Sequence, residues 1–329
     1  MEKINMKKLI GDNVVVVVLI LLCFGFGMSS STFFSARNVS NILSQMCTNA
    51  LLASGLTYVI ILGGIDISVG SVAGVAGIIA AYAGLMFPDM SIPFAIALLI
   101  VVGIGVGAVC GLVNGVLIAY LDVIPMICTL STMTALRGVA FIITGGQPVY
   151  GLADNFAFLG AKRIIPTASM PNGAVPVIVI FTIIVVAFMH ILLSRTVFGR
   201  HVFAVGSNRN VAHLSGINVR KVTLLSHVLC GITAGLCGVC IASKLQNGQP
   251  NAGNTYEMFA IASTVLGGTS LSGGSGSVAR AMFGCAVIAV IKTGMDLLQI
   301  YSYWQNVVIG CIIILAVVLD MAQKKRQKA

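Results

Sequence analysis

The sequence predicts an all-α integral membrane protein of about ten transmembrane helices, some of them interrupted by glycine. Three observations lead there. Only 9% of the 329 residues are charged while 58% are hydrophobic, giving a mean hydropathy of +1.04. Apolar stretches recur along nearly the whole length, and the basic residues gather in short segments between or beyond them. A water-soluble domain carries about 25% charged residues to cover its surface, so this chain must turn apolar faces to lipid. The whole of 1–329 reads as one transmembrane domain with no soluble catalytic domain.

One helical span takes about 20 apolar residues. Apolar stretches run over 14–30, 47–63, 68–87, 93–119, 124–143, 176–193, 222–243, 257–272, 278–296 and 304–320. The first follows Lys3, Lys7 and Lys8 but lacks a small-residue cleavage site, so it reads as a retained helix. Ten crossings bring the chain back to its starting side. With the N-terminus inside, the loop 194–221 with Arg195, Arg200, Arg209, Arg220 and Lys221 falls inside, as do Lys324, Lys325, Arg326 and Lys328. These groups hold twelve of the nineteen basic residues, so the net charge of +10 is a topology signal of the positive-inside kind. It is not a nucleic-acid footprint. The polar segment 144–175, with Pro148, Pro166 and Pro171 and Pro176 at its edge, falls outside.

The span 93–119 places Gly103, Gly107, Gly111 and Gly115 on one helix face, where a neighbouring helix can approach closely. Two spans are irregular. Residues 257–266 are too few to cross before the run from Gly267 to Ser277, and 63–70 interrupt the second apolar region. Both read as broken helices. Leu62–Ser71 also resembles Leu266–Ser275, a weak internal repeat of the sort that points to a transport pathway; the alternative is a pair of ordinary Gly-rich turns.

No HExxH zinc site, GxSxG elbow or GxxxxGK[ST] phosphate loop is present, and the run 267–277 has no lysine. The chain is therefore expected to be no enzyme, to bind no metal or cofactor, and to draw any ATP-derived work from another subunit. The nine cysteines lie mostly within apolar runs, and Cys237 and Cys240 read as packing residues.

Polar groups inside spans are costly and usually face a cavity or a partner. Asp66, Asn114, Arg137, Lys292 and Asp296 are such groups. Lys292 and Asp296, four apart, are expected to pair. Asp66, after two glycines, is expected to cap the following helix ahead of touching a solute. Asn49, Asp66, Asn114 and Thr132 are the candidates for a translocation pathway, with helix-to-helix hydrogen bonding as the alternative. In the loop 194–221, Val211, Leu214 and Ile217 recur every three residues, the pattern of a short helix docked on a partner.

At these residues the sequence resembles the permease subunits of ribose-type sugar importers of the ABC superfamily. Gly63–Ser71, Phe198–Gly206, Leu214–Val219 and Val265–Gly274 resemble that family's motifs in order, and the likeness runs from about residue 33 to 320. The resemblance implies a bacterial inner-membrane permease with both termini cytoplasmic, in a homodimer or pseudo-dimer. It further implies a cytoplasmic ATPase carrying ATP and Mg and an extracytoplasmic sugar-binding protein. It makes Asn208–Ile217 the helix received by the ATPase, with Asn208, Arg209, Val211, Leu214, Ser215, Gly216 and Ile217 as coupling residues. Where the family usually carries an acidic residue, a small one and Ala-Ala, this chain has Arg209, Asn210, Val211 and Ala212, and His213 replaces a common arginine. The charge reversal implies an ATPase with its own matching surface. An ion-gradient-driven transporter is the rival reading and would need a carboxylate or histidine relay, for which Asp66 is the early candidate.

Overall fold

The computed structural model describes residues 14–166, 173–301, 303–312, 314 and 318. The described residues are helical apart from loops and one short strand pair. The helices are α1 (Val14–Ser29), α2 (Ala36–Ile61), α3 (Val69–Leu85), α4 (Ile92–Ala119), α5 (Pro125–Thr144) and α6 (Val177–Arg195). There follow α7 (Val197–Ser207), α8 (Arg209–Leu214), α9 (Val219–Leu245), α10 (Tyr256–Leu266) and α11 (Val278–Leu297), and residues 303–312 are again helical. Strands β1 (Arg163–Ile164) and β2 (Val175–Pro176) pair antiparallel, with Arg163 opposite Pro176.

Among the described residues, α4, α5, α6, α9 and α11 are long and apolar enough to cross a membrane, while α3, α10 and Val15–Ser29 are shorter apolar helices. Nine of the apolar stretches each overlap one helix, and the tenth enters the helix over 303–312 before passing largely outside the described residues. The basic residues Lys3, Lys7, Lys8, Lys324, Lys325, Arg326 and Lys328 also lie outside them. Helix α2 starts well before its apolar run, because Ser35 caps it through Asn38 N–H at 3.3 Å and Asn38 Nδ2 donates to Phe33 C=O at 2.7 Å. Asn38, Ser40 and Ser44 of its polar first half are buried, so hydropathy alone does not reveal it.

Helix α9 is the centre of the bundle, packed on α2, α3 and α4. Cys237 and Cys240 lie fully buried there beside Leu52, Leu56 and Ala234, in the packing role the sequence gives them. The glycines of α4 meet α9 backbone: Gly103 faces Gly235, Gly107 faces Gly231, Gly111 faces His227 and Gly115 faces Leu224. The opposite face of α4 exposes Val101, Val109 and Leu112, as expected of a surface in contact with lipid.

Helix α2 runs from one end of the bundle to the other. Near its start Asn41 Oδ1 accepts from Arg163 Nη2 at 3.0 Å, and at its far end Ile61 C=O accepts from Gly274 N–H at 2.8 Å beside Gly206. Arg163 and Gly206 therefore sit at opposite ends of the bundle.

The broken-helix expectation needs a correction at α10. The run Gly267–Ser277 does not interrupt a span; it folds into turns at the 194–221 end. The break lies before α10, in residues 246–255. That segment runs along α3, with Gly248 against Ala81, Ala252 C=O against Gly74, and Gly253 against Gly70. Irregular backbone inside a bundle needs protein donors, and Arg137 Nη1 supplies them to Pro250 C=O at 2.7 Å and Ala252 C=O at 2.9 Å.

The repeat is likewise shifted. Helices α2 and α10 stop in the same way, with left-handed Gly63 (φ 80°) and Gly268 (φ 84°). Gly64 N–H closes on Val59 C=O at 3.0 Å, and Thr269 N–H on Thr264 C=O at 3.1 Å. The structural match pairs Gly63 with Gly268, one residue away from the sequence alignment. The segments then diverge, since α3 begins at Val69 and α11 only at Val278.

Candidate functional site

Two features stand out, an exposed elbow at one end of the bundle and a polar cavity nearer the other. The elbow is α7 followed by α8. Thr196 caps α7 through Gly199 N–H at 3.2 Å. Asn208 Oδ1 caps α8 by accepting from Asn210 N–H at 3.0 Å and Val211 N–H at 3.1 Å. Gly216, at φ 81°, ends α8 and lets Ile217 N–H return to Ala212 C=O at 3.0 Å.

Ala212 and Ile217 face inward, whereas Val211 and Leu214 are 57% and 86% exposed. Arg209 and Ser215 are also exposed, and Ser215 Oγ bonds back to Val211 C=O at 2.9 Å. The three-residue spacing is thus split: Ile217 packs on the bundle while Val211 and Leu214 point away from it. Beneath the elbow, Gly206 of α7, Ile61 of α2 and Gly274 meet backbone to backbone, with no room for a side chain on Gly206.

The link between α2 and α3 is held by a buried network. Asp66 Oδ1 accepts from Ser68 N–H at 2.9 Å and Ser68 Oγ at 2.6 Å, and Asn114 Nδ2 donates to Ser68 Oγ at 2.9 Å. Thr129 Oγ1 donates to Ile65 C=O at 3.1 Å and accepts from Ile67 N–H at 3.2 Å. Asp66 therefore does not cap α3 as expected: the N-cap position belongs to Ser68, and Asp66 holds Ser68 from two residues before it. Thr132 bonds within its own helix, to Thr129 C=O at 3.1 Å. Of the four pathway candidates, Asp66 and Asn114 share this network, and Asn49 alone lines the polar cavity.

That cavity, of about 360 Å³, opens between α2, α9, α10, α11 and the helix over 303–312. Gln45, Asn49, Lys244, Lys292, Asp296 and Gln305 line it. A neighbouring hollow of about 270 Å³ shares Gln45, Lys244 and Asp296 and adds Arg163 and Thr293. Asn49 Nδ2 donates to Ser263 Oγ at 2.6 Å, and Lys244 Nζ to Ser44 Oγ at 3.0 Å.

The expected ion pair between Lys292 and Asp296 does not form. Lys292 Nζ lies over the Phe259 ring, 4.7 Å from its centroid, and Asp296 Oδ1 accepts from Gln305 Nε2 at 2.6 Å. Partners from other helices displace the local pair. Sequence reasoning missed Gln45, Lys244 and Gln305 as lining residues; the four-residue spacing of Gln45 and Asn49 on α2 was the available signal. Among the described residues no cluster of His, Cys, Asp and Glu is arranged to hold a metal ion.

A family model described as "Branched-chain amino acid transport system / permease component" matches residues 38–317. The chain belongs to this family. It is 38% identical to a ribose import permease protein of Haemophilus influenzae, covering 92% of this chain and 91% of that one. A galactose/methyl galactoside import permease protein of Salmonella typhimurium is 36% identical, over 95% of this chain and 94% of its own length. A D-allose transport system permease protein of Escherichia coli is 34% identical, over 93% and 89%. No solved structure matches significantly. Family and apolar helices together make this a multi-pass membrane protein.

Proposed function

We propose that this chain is the membrane-spanning permease subunit of an ATP-driven ABC importer. It passes a monosaccharide or related small polyol into the cytoplasm by alternating access. The observation that carries this is α8, a capped helix that holds Val211 and Leu214 away from the bundle. An apolar pair so exposed at the end of a membrane bundle fits a partner protein. The sugar relatives favour a hydroxylated solute over the amino acids in the family's description. The cavity supports that choice, since amide, hydroxyl and charged groups suit a polyol better than an aliphatic side chain.

In this reading the single domain 1–329 crosses the bacterial inner membrane ten times with both termini cytoplasmic. Two copies form a homodimer embedded in lipid. The loop 194–221 is cytoplasmic and meets an ATPase that binds ATP and Mg, while a sugar-binding protein docks outside. This chain itself binds no cofactor. Asn208, Arg209, Val211, Leu214, Ser215, Gly216 and Ile217 form the coupling elbow, and Asn49 lies on the pathway. Asp66 and Asn114 frame the link into α3, and Thr132 stands beside that link on α5.

The geometry supplies a route for the stroke. A shift of α8 moves α7, whose Gly206 is locked to Ile61 and Gly274 without intervening side chains. Ile61 ends α2, and Gly274 follows α10; the other halves of these helices carry Gln45 and Phe259 at the cavity. Motion at the elbow is thereby delivered to the cavity walls.

The test is reconstitution of the permease with its ATPase and binding protein in proteoliposomes, measuring uptake of labelled sugar. Accumulation that requires ATP hydrolysis is expected. Uptake that persists without ATP and follows an imposed ion gradient would establish the secondary-transporter reading instead.

A further inference from the structure

Between α9 and α10 the chain descends along α3 without forming helix. Val149 N–H donates to Gly248 C=O at 2.8 Å and Gly248 N–H to Val149 C=O at 3.0 Å, with Gly248 packed on Ile78 and Ala81 of α3. Five residues later Gly253 meets Gly70, in the first turn of α3. From Ile78 to Gly70 is about 12 Å at about 1.5 Å per residue. The 11 residues of α10 then take about 16 Å to return to the elbow end. A hydrocarbon core is about 30 Å thick. Residues 250–255 therefore lie near its middle.

Lipid does not suit that depth. Asn251, Asn254 and Thr255 are exposed, and among the described residues no hydrogen bond uses the side chain of Asn251 or Asn254. Irregular polar backbone is not tolerated against hydrocarbon and occurs only where protein covers it or water fills a cavity. The nearby charges are engaged internally. Arg137 Nη1 holds Pro250 C=O and Ala252 C=O, the two carbonyls that flank Asn251. Glu257, 7% exposed, lies against Gly70 within the field of Arg137. The reachable groups are therefore neutral: the amides of Asn251 and Asn254, each both donor and acceptor, and the Thr255 hydroxyl. On α5, Ser131, Thr134 and Gly138 are also exposed, and nothing lies within 4 Å of a Cβ position on Gly138. Paired donors and acceptors without net charge match the hydroxyls of a neutral sugar.

We propose that Asn251 and Asn254 touch the transported sugar at mid-membrane, on a water-filled path between this face and the second permease copy. Arg137 is the positioning residue: it touches no sugar and fixes the backbone on both sides of Asn251. Helix α10 starts directly after this segment and runs to the turns at Gly274, so movement of the elbow reaches Asn254 along one rigid element. As a statement about substrate this rests on the importer reading; as a statement about an aqueous face it can be tested apart from it.

The full-length permease, reconstituted with its ATPase and binding protein, is to be labelled with a membrane-impermeant cationic methanethiosulfonate. Asn251→Cys and Asn254→Cys are compared with Ile184→Cys, which stands 63% exposed midway along α6. The tryptic peptides 245–280 and 164–195 contain no native cysteine, so mass assigns each adduct. A thiol reacts as thiolate, which needs water, and labelling at Asn251→Cys and Asn254→Cys is expected to be about tenfold or more faster than at Ile184→Cys. Labelling as slow as at Ile184→Cys would overturn the proposal, whether lipid or protein covers the face. In the same vesicles, Asn251→Ala combined with Asn254→Ala is expected to lower the labelled D-ribose moved per ATP hydrolysed by about tenfold, the scale of one lost hydrogen bond. An unchanged ratio would remove the sugar contact. Arg137→Gln is expected to lower that ratio and Arg137→Lys to restore most of it; uptake and ATP hydrolysis falling together in both would make Arg137 merely structural. Fast labelling with ATP-independent uptake would keep this face and lose the importer. ATP-driven uptake with slow labelling would do the reverse.

Discussion

Gly107 and Gly231 face each other across the α4–α9 contact so closely that a Cβ on either would collide with the other's carbonyl oxygen. The contact is reciprocal, and Gly103 with Gly235 repeats it one turn away. Backbones that approach this far gain dispersion contacts along the whole seam, which is how helices associate where lipid removes the hydrophobic driving force.

Gly107→Val should therefore separate the central pair. Overpacking costs about 1–3 kcal/mol when neighbours can yield, and here the neighbour is backbone. The thermal midpoint of the purified protein and its membrane yield should both fall clearly. Gly105→Val is the control, because Gly105 is exposed with nothing near its Cβ position. Equal behaviour of the two variants would remove the seam from the account of stability.

Thr129 carries a second prediction. Thr129→Val keeps the shape but strips both partners from the link into α3, Ile65 C=O and Ile67 N–H. Leaving a buried backbone group unpaired costs about 1–3 kcal/mol. Thermal stability should fall by that order in Thr129→Val and be largely kept in Thr129→Ser. A Val variant as stable as the parent would mean that the link finds other partners.

These cases show what the sequence could disclose. The apolar runs and the Gly103–Gly115 stripe were legible because length and periodicity are local properties. Gly231 and Gly235 were not recognised as the complement, since nothing local says which helix receives a stripe. The polar start of α2 was hidden from hydropathy because Asn38, Ser40 and Ser44 are buried there. Lys292 and Asp296 obeyed the four-residue rule in spacing, yet Phe259 and Gln305, brought in from other helices, took their places. Asp66 was legible as a polar group tied to the start of α3, because its partner Ser68 is two residues away, although Ser68 and not Asp66 holds the cap position. Side-chain roles decided within one turn of chain were visible, and those decided by tertiary approach were not.

Gly216 tests the backbone of the elbow. A Cβ there meets nothing within 4 Å, so bulk is not the obstacle. The obstacle is φ 81°, which costs an ordinary residue about 1–2 kcal/mol. Gly216→Val should therefore loosen α8 and lower sugar-coupled ATPase stimulation, with membrane insertion intact. Gly216→Asn, which tolerates the left-handed region, should retain more of it. Matching losses in both variants would point to an additional contact at Gly216 in the assembled complex.

Leu214 offers the sharpest separation of fold from coupling. At 86% exposure it contributes little to the bundle, so replacing it should leave the thermal midpoint of the isolated permease unchanged. If α8 is received by the ATPase, Leu214 becomes buried there, and placing a carboxylate at that position would strand an unpaired charge against an apolar wall. Leu214→Glu should therefore weaken ATPase co-purification by about tenfold or more, the scale set by burying a full leucine side chain. Leu214→Met should preserve it, because volume and polarity are kept. The comparison discriminates because Arg209 and His213 are also exposed on this short helix. Were charge alone responsible for docking, Leu214→Glu would change the salt dependence of binding while Leu214→Ala left affinity intact. Retention of full affinity in Leu214→Glu would place the ATPase contact elsewhere on the loop.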